Sequence, residues 1–210
     1  MIRIIIADDH AIVRQGLRQM LAGMTDMELV AEAEDAAELL ELLRQHACDV
    51  VVLDVSMPGR SGVEVLKELR SEHPHLAVLM LTMHPQDQYA VRALKAGAAG
   101  YLTKDSAPAE LIAAIRRVAA GGKYITAALA ETLADHLTWG ADKAPHESLS
   151  DREFEVLRKI GAGKTASEIA EELFLSPNTI STYRVRLLEK LKVHNTAELI
   201  RYAITNRLLE

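Results

Sequence analysis

The sequence predicts a doubly wound α/β domain with a five-stranded parallel sheet, followed by a small all-α domain that contains a helix-turn-helix. Three observations lead to this fold class. The chain has 210 residues, more than one domain usually holds. Its first 120 residues alternate short β-rich runs with helical patterns, as repeated βαβ units do. From Ser150 onward the pattern is wholly helical.

Five apolar runs form the predicted sheet. Their near-continuous apolar character indicates strands buried on both faces, as in a parallel sheet covered by helices. The intervening segments carry apolar stripes at helical spacing, which we expect to pack on the sheet. The predicted strands are residues 3–7, 29–33, 50–53, 77–81 and 100–102. The clearest stripes are Val63, Leu66 and Leu69 in the third helix and Leu111, Ile112, Ile115 and Val118 in the fifth.

A linker is expected after the fifth helix, which Gly121 and Gly122 close. The predicted segments are 1–122 for the α/β domain, 123–147 for a partly helical linker and 148–210 for the helical domain. Within the linker, leucines four residues apart favour a short docked helix. These leucines are Leu129, Leu133 and Leu137.

Helix starts are clearly marked in the C-terminal domain. Three capping boxes, in which a side-chain acceptor precedes a carboxylate by three residues, are Ser150 with Glu153, Thr165 with Glu168 and Asn195 with Glu198. Another helix begins at Ser176 and Pro177, where the missing N–H of proline costs nothing. The two middle helices, about 166–173 and 177–191, are joined by a short turn, so they predict a helix-turn-helix.

Charge is unevenly distributed along the chain. The formal net charge is −6, but residues 148–210 hold 10 Lys and Arg against 9 Asp and Glu, a net of +1. The stretch from 177 to 192 is locally basic, because its cations oppose only Glu189. The negative total therefore does not exclude a nucleic-acid partner for the second half.

The apolar runs are far shorter than the ~20 residues that span a membrane. The N-terminus also lacks the pattern of a secretory signal, so we expect a cytoplasmic protein with no membrane partner. The single Cys48 permits no intrachain disulfide, which agrees with a reducing compartment.

Charged and hydroxyl residues stand where four of the predicted strands end. Asp8 and Asp9 end the first strand, Asp54 the third and Thr82 the fourth, while Lys104 lies just beyond the fifth. Doubly wound sheets bind their ligands at the carboxyl ends of the strands, so convergence of these residues is expected. Three adjacent carboxylates repel one another unless a cation is present. Mg²⁺ is the ion we expect, because it favours oxygen ligands.

Asp54 is the candidate nucleophile of this pocket. A carboxylate can accept a phosphoryl group when a metal and a lysine neutralise the charge on the transferring group, and Lys104 fits the second role. The Thr82 hydroxyl could then hydrogen-bond the new phosphoryl oxygen. Each residue alone has an ordinary alternative as a loop acid, a helix cap or a solvated charge. Their joint placement favours an aspartyl phosphoacceptor.

The motifs ADDH at 7–10, LDVSMPGRSG at 53–62, LT at 81–82 and GYLTKD at 100–105 resemble the receiver domain of bacterial response regulators. The resemblance covers the whole first domain and implies a flavodoxin-like fold. It also implies that Asp54 is the phosphoacceptor and Lys104 its phosphoryl partner. The implied Mg²⁺ ligands are Asp8, Asp9, Asp54 and the backbone carbonyl of Ser56.

The same resemblance implies a conformational switch. Phosphorylation would draw Thr82 inward and let Tyr101 follow, which is a two-state change. Pro58 and Gly62 match the family's loop after the phosphoacceptor, where such residues shape the backbone. Ser56 and His84 stand at positions that tend to modulate the phosphoryl lifetime in this family.

Residues 149–206 resemble the LuxR-type helix-turn-helix of NarL/FixJ response regulators. The second helix has an inward stripe of Ile180, Tyr183, Leu187 and Leu191, so its opposite face is expected to enter the major groove. Candidates for base contacts are Ser181, Thr182 and Val185, and candidates for phosphate contacts are Lys164, Arg184, Arg186 and Lys190. Ser181, Tyr183 and Val185 depart from residues frequent in the family, so the target sequence stays open.

The last helix carries an apolar stripe of Leu199, Ile200, Ala203 and Ile204 that could complete the small core or form a dimer seam. A homodimer would read two half-sites. Phosphorylation could promote pairing or free the recognition helix from the receiver domain. The resemblance implies a sensor histidine kinase as phosphoryl donor, promoter DNA as target and RNA polymerase as a further partner.

The expected function is that of a two-component response regulator and DNA-binding transcription factor, which catalyses only its own aspartyl phosphorylation and dephosphorylation. Two alternatives stay open: a phosphorylation-independent regulator, and an output domain that binds a protein instead of DNA. A phosphatase of the haloacid-dehalogenase type also uses an aspartate and Mg²⁺, but it needs an acid two residues after the nucleophile. That position is Ser56.

Overall fold

The computed structural model describes residues 1–83, 88–138, 144–206 and 208–209. His84 and linker residues 139–143 therefore lie outside the described residues. The chain divides into two compact units, Met1–Asp135 and His136–Glu210. The first unit contains the α/β fold, and the second is helical.

Five parallel strands form the sheet of the first unit: β1 (Ile2–Ala7), β2 (Met27–Ala33), β3 (Val50–Asp54), β4 (Ala77–Thr82) and β5 (Gly100–Thr103). Their order is β2-β1-β3-β4-β5, which confirms the predicted doubly wound fold. The strand order reverses between β1 and β3, and such a switch point opens a crevice at the carboxyl ends of the strands. β2 begins at Met27, ahead of the predicted Leu29, because buried Met27 already pairs with Ile2.

One irregularity interrupts the pairing of β1 with β2. Ile4 pairs with Leu29 and Ile5 pairs with Ala31, so Val30 is an extra residue on the outer strand. This arrangement is a β-bulge, which increases the local twist of an edge strand.

Four helices connect these strands, and a fifth follows the last strand: α1 (Ala11–Ala22), α2 (Ala36–Gln45), α3 (Gly62–Glu72), α4 (Gln88–Lys95) and then α5 (Pro108–Ala119). The apolar stripes predicted for α3 and α5 are buried, as expected for helices packed on a sheet. Side chains of α5 share one core cluster with those of β1, β3 and β4. Each buried Leu, Ile or Val in it contributes about 1.5–3 kcal/mol, which holds the strand ends in fixed positions.

The chain returns to the sheet after α5. The backbone N–H of Tyr124 donates to the carbonyl of Ala99 at 2.9 Å, and Tyr124 bridges Gly100 of β5. A Cβ on Gly100 would lie 2.8 Å from both Leu79 Cδ1 and the Tyr124 carbonyl, so this approach requires glycine. Helix α6 (Ala127–Thr138) follows, within the segment expected to be a partly helical linker, and buries Leu129.

The second unit contains a 3₁₀ turn at Pro145–Ser148 and helices α7 (Asp151–Gly161), α8 (Ala166–Glu172), α9 (Pro177–Leu191) and α10 (Thr196–Thr205). Each of the four helices contributes buried apolar side chains, among them Phe154, Ile169, Leu187 and Leu199. These bounds confirm the predicted all-α domain with its helix-turn-helix.

The predicted helix caps are present, with one difference. Ser150 and Thr165 form complete capping boxes with Glu153 and Glu168, and Ser176 accepts from the Thr179 N–H at 3.1 Å. Asn195 accepts from the Glu198 N–H at 3.0 Å, but Glu198 takes the backbone N–H of His194 instead of that of Asn195. The third box is therefore shifted by one residue, while the cap itself, worth about 1 kcal/mol, is kept.

Candidate functional site

The strand ends bring the predicted pocket residues together. Asp8 follows β1 and Asp54 ends β3, while Lys104 follows β5 and donates its backbone N–H to the Thr82 carbonyl at 2.7 Å. Lys104 Nζ lies 2.7 Å from Asp8 Oδ2 and 2.8 Å from Asp54 Oδ2. Both carboxylates and Thr82 are almost fully buried. The convergence expected from the sequence is therefore present.

Burial sets the electrostatics of this pocket. Loss of solvent raises the pKa of Asp54 to about 6, and the neighbouring Asp8 charge adds to the rise, whereas Lys104 opposes it. Burial also acts to lower the pKa of Lys104, but the charges of Asp54 and Asp8 outweigh it, so that pKa is raised. Lys104 is thus held as a cation beside a carboxylate that ionises near neutral pH.

Four residues offer donor atoms for a cation. One ligand atom from each of Asp8, Asp9, His10 and Asp54 lies within 4.8 Å of the others. Asp9 Oδ1 is buried and accepts no hydrogen bond from the described part of the chain, although His10 Nδ1 lies 2.7 Å away at ion-pair distance. A buried carboxylate oxygen without a donor suits a hard cation, so these residues fit the expected metal site.

The loop after Asp54 is shaped by a close backbone approach. A Cβ on Gly62 would lie 2.0 Å from the Asp54 carbonyl oxygen, and the Gly62 N–H donates to the Val55 carbonyl at 2.8 Å. No side chain fits there, which gives Gly62 the backbone role that the resemblance implied. The Ser56 backbone hydrogen-bonds the Asp54 side chain, and Tyr101 is completely buried on β5.

Helix α9 presents the expected outer face. Ile180, Leu187 and Leu191 are buried, whereas the predicted base-contact residues Ser181, Thr182 and Val185 are exposed. Tyr183, predicted on the inward stripe, is only partly buried, and the guanidinium of Arg186 lies 5.9 Å from the centroid of its ring. The turn before α9 contains Phe174, which has a left-handed φ of 54° and is exposed.

The four residues predicted to contact phosphates differ in their surroundings. Lys164 forms an ion pair with Glu172, and Lys190 Nζ lies 2.7 Å from Glu153 Oε2. Arg184 donates to Thr196 Oγ1 at 3.3 Å, and Arg186 is exposed. DNA phosphates would therefore have to compete with carboxylates for the two lysines. The pair of Lys190 with Glu153 could not be predicted from sequence spacing, because the two residues are 37 positions apart.

Two family models match the chain. Residues 4–116 match the response regulator receiver domain, and residues 147–203 match the luxR family of bacterial regulatory proteins. The chain belongs to the NarL/FixJ family of response regulators. Response regulator UvrY of Escherichia coli (strain K12) is similar, with 36% identity over 99% of this chain and 96% of that protein.

Solved structures of response regulators are also similar. RcsB of Salmonella enterica serovar Typhimurium, bound to promoter rprA in the presence of phosphomimetic BeF₃⁻, is 29% identical with a TM-score of 0.66, covering 96% of this chain and 97% of that one. A structure of two RcsB dimers bound to two parallel DNAs is 31% identical with a TM-score of 0.60, covering 96% of each chain. This response regulator is therefore a DNA-binding transcription regulator. Among the described residues, no helix is long and apolar enough to cross a membrane.

Two further residues of this response regulator belong to the pocket, although the sequence pattern did not lead us to predict them as site residues. His10 Nδ1 lies 3.1 Å from Asp8 Oδ1, and Arg14 Nη1 donates to the Asp8 carbonyl at 2.6 Å while pairing with Glu34. Arg14 is buried on α1, where a charged residue requires partners. The signal for both was their spacing: His10 directly follows the acidic pair, and Arg14 stands one helical turn further on.

The high pKa of Asp54 predicts that the wild type and the Asp54→Asn variant differ in stability by an amount that depends on pH. Because its folded value of about 6 exceeds the ordinary 3.8, the protonated form stabilises the fold below about pH 4, and this contribution is lost as pH rises through 6. Asparagine does not ionise. We expect Asp54→Asn to raise the free energy of unfolding by about 1–3 kcal/mol near pH 8 without divalent ions, and by nearly nothing near pH 4.

Urea unfolding followed by circular dichroism at several pH values, in EDTA, measures this difference. Adding Mg²⁺ should reduce it, because a cation stabilises the ionised pocket of the wild type. A difference that is independent of pH, or a wild type more stable than the variant near pH 8, would contradict the assignment of the raised pKa to Asp54.

Proposed function

We propose that this response regulator is switched by Mg²⁺-dependent phosphorylation of Asp54, with a sensor histidine kinase as donor. The observation that carries the proposal is the buried Asp54 carboxylate, 2.8 Å from Lys104 Nζ and grouped with Asp8 and Asp9. We further propose 1–122 as the receiver domain, 123–147 as the linker and 148–210 as the DNA-binding domain. The response regulator would encounter both its phosphoryl donor and its promoter targets in the cytoplasm.

The chemistry is a phosphoryl transfer to a carboxylate. With a pKa near 6, Asp54 is largely ionised at neutral pH and can attack phosphorus through one oxygen. A bond forms between that oxygen and phosphorus while the bond to the donor's leaving group breaks. Lys104 neutralises negative charge on the transferring group. Attack of water on the same phosphorus later restores the carboxylate and releases phosphate, so the protein acts only on itself.

The acidic residues would hold the metal: Asp8, Asp9 and Asp54 would bind Mg²⁺, with the Ser56 carbonyl as a further ligand. The ion, when bound, lowers the repulsion between the phosphoryl oxygens and the carboxylates. Thr82 is buried beside the pocket, where its hydroxyl can bind a phosphoryl oxygen, and Tyr101 follows its movement. This pair is the proposed switch.

The output is recognition of promoter DNA by a homodimer. RcsB, which is similar over nearly the whole chain, has been solved as dimers on DNA, and this supports the same assembly here. Ser181, Thr182 and Val185 would contact base edges, because they are exposed on one face of α9. The proposed phosphate contacts are Lys164, Arg184, Arg186 and Lys190, and RNA polymerase is a proposed partner of the bound dimer.

Intact-mass measurement after incubation with acetyl phosphate, with and without Mg²⁺, tests the switch chemistry. We expect a phosphoryl adduct that requires Mg²⁺, that is lost on hydrolysis, and that peptide mapping after borohydride reduction places on Asp54. An adduct on another residue would refute the site. No adduct, followed by none from a histidine-kinase donor, would favour the phosphorylation-independent alternative.

Arg186→Ala tests the DNA-binding surface. Arg186 is exposed on α9, so its loss should weaken promoter binding roughly fivefold and reduce the slope of log affinity against log salt by about one per lost phosphate contact. Fluorescence anisotropy at several salt concentrations measures both quantities. Arg201→Ala, which removes an exposed arginine from α10, is the matched control. An equal effect of the two variants would exclude a specific role for Arg186.

A further inference from the structure

The imidazole of His10 lies against the acidic pair. Its Nδ1 is 2.7 Å from Asp9 Oδ1 and 3.1 Å from Asp8 Oδ1, and its backbone N–H also donates to Asp8 Oδ1 at 2.9 Å. His10 precedes α1 as its N-cap residue, but its side chain makes no capping hydrogen bond. The ring is therefore positioned by the carboxylates and not by the helix.

These separations match those between neighbouring ligands of an octahedral ion. With bonds of about 2.1 Å, adjacent ligands are about 3.0 Å apart and opposite ligands about 4.2 Å apart. The His10–Asp9 and His10–Asp8 distances lie close to the first value. All four donor atoms lie within 4.8 Å of one another, so a small inward movement would bring them around one ion.

Lys104 leaves the donor atoms beside His10 available. It contacts Asp8 Oδ2 and Asp54 Oδ2, whereas His10 contacts Asp8 Oδ1. Asp9 Oδ1, the other oxygen beside His10, is buried and accepts no hydrogen bond from the described residues. A cation at this position would therefore meet two carboxylate oxygens and a nitrogen without displacing the lysine.

We propose that His10 Nδ1 is a metal ligand, and that it makes the pocket a mixed nitrogen and oxygen site. This inference rests on the proposed function, since it concerns the same cation pocket. Imidazole suits transition ions such as Cu²⁺, Ni²⁺ and Zn²⁺, whereas Mg²⁺ favours oxygen ligands. His10 therefore sets the metal preference of the pocket: it strengthens binding of Cu²⁺ and contributes little to binding of Mg²⁺.

The test uses the full chain and four proteins. The wild type is compared with His10→Ala, with Asp54→Asn and with His46→Ala, which removes an exposed histidine far along the chain. Isothermal titration calorimetry gives the dissociation constants for Mg²⁺ and Cu²⁺. Pulsed electron paramagnetic resonance with one equivalent of Cu²⁺ detects a coordinated ¹⁴N nucleus. Neither readout depends on phosphorylation.

We expect His10→Ala to weaken Cu²⁺ binding by at least about tenfold, to change Mg²⁺ binding by less than about threefold, and to abolish the ¹⁴N signal. His46→Ala should match the wild type. An unchanged Cu²⁺ affinity, or a ¹⁴N signal that persists in His10→Ala, would overturn the ligand role and show that the imidazole only hydrogen-bonds the carboxylates. If Asp54→Asn leaves both affinities unchanged, the cation pocket itself, and with it the proposed function, is wrong.

Discussion

Substitution of Asp54 by asparagine is expected to abolish the phosphoryl adduct completely. Asparagine has no anionic oxygen to attack phosphorus, yet it keeps the size of the side chain and retains an acceptor for Lys104 Nζ, which lies 2.8 Å away. The buried pocket should therefore keep its shape. Intact-mass spectrometry after treatment with acetyl phosphate and Mg²⁺ measures the loss directly.

Asp105→Asn is the matched control for this experiment. Asp105 is an exposed acid next to Lys104 in the chain, and its substitution should leave the adduct at the wild-type level. The control removes one negative charge near the pocket without touching the proposed nucleophile. Equal phosphorylation of the Asp54→Asn variant and the wild type would show that another residue accepts the phosphoryl group.

Substitution of Gly62 by alanine is expected to destabilise the receiver domain by about 2–4 kcal/mol. The added Cβ would lie 2.0 Å from the Asp54 carbonyl oxygen and 2.9 Å from Val55 Cα, and all of these neighbours are backbone. The clash between the added Cβ and this backbone can be relieved only if the loop after β3 moves. That movement would shift Asp54 itself, so phosphorylation should fall as well as stability.

The same substitution at Gly16 is the control for backbone effects. A Cβ on Gly16 would meet nothing within 4 Å, and the residue lies inside α1. Alanine there should stabilise the helix by about 0.5–1 kcal/mol, because it has less freedom to lose than glycine. Opposite shifts of the urea midpoint are expected for the two variants. A Gly62→Ala protein as stable as the wild type would mean that the loop is more adaptable than this contact indicates.

The sequence was sufficient for much of the fold and of the pocket. Strand ends of a parallel sheet meet at one edge, so the positions of Asp8, Asp54 and Lys104 along the chain already predicted their convergence. The helix starts at Ser150 and Thr165 were equally clear, because a capping box depends only on residues three apart. Local rules and sheet topology account for these successes.

Other features depend on partners that are distant in the chain. The ion pairs of Lys190 with Glu153 and of Arg14 with Glu34 depend on packing between elements, which periodicity does not describe. The shifted cap at Asn195 is a choice between two adjacent N–H groups that only the geometry of the turn decides. Packing between elements also decides which part of the predicted α10 stripe is covered: Leu199 is buried and Ile204 is exposed.

The two edges of the sheet have a further consequence for the protein in a crowded solution. Unpaired strand edges invite strands of other molecules, and this is a common route to aggregation. Here the bulge at Val30 disrupts the regular spacing of the β2 edge, and Tyr124 lies beside Gly100 at the β5 edge. Both features therefore disfavour open-ended pairing of the sheets of neighbouring molecules.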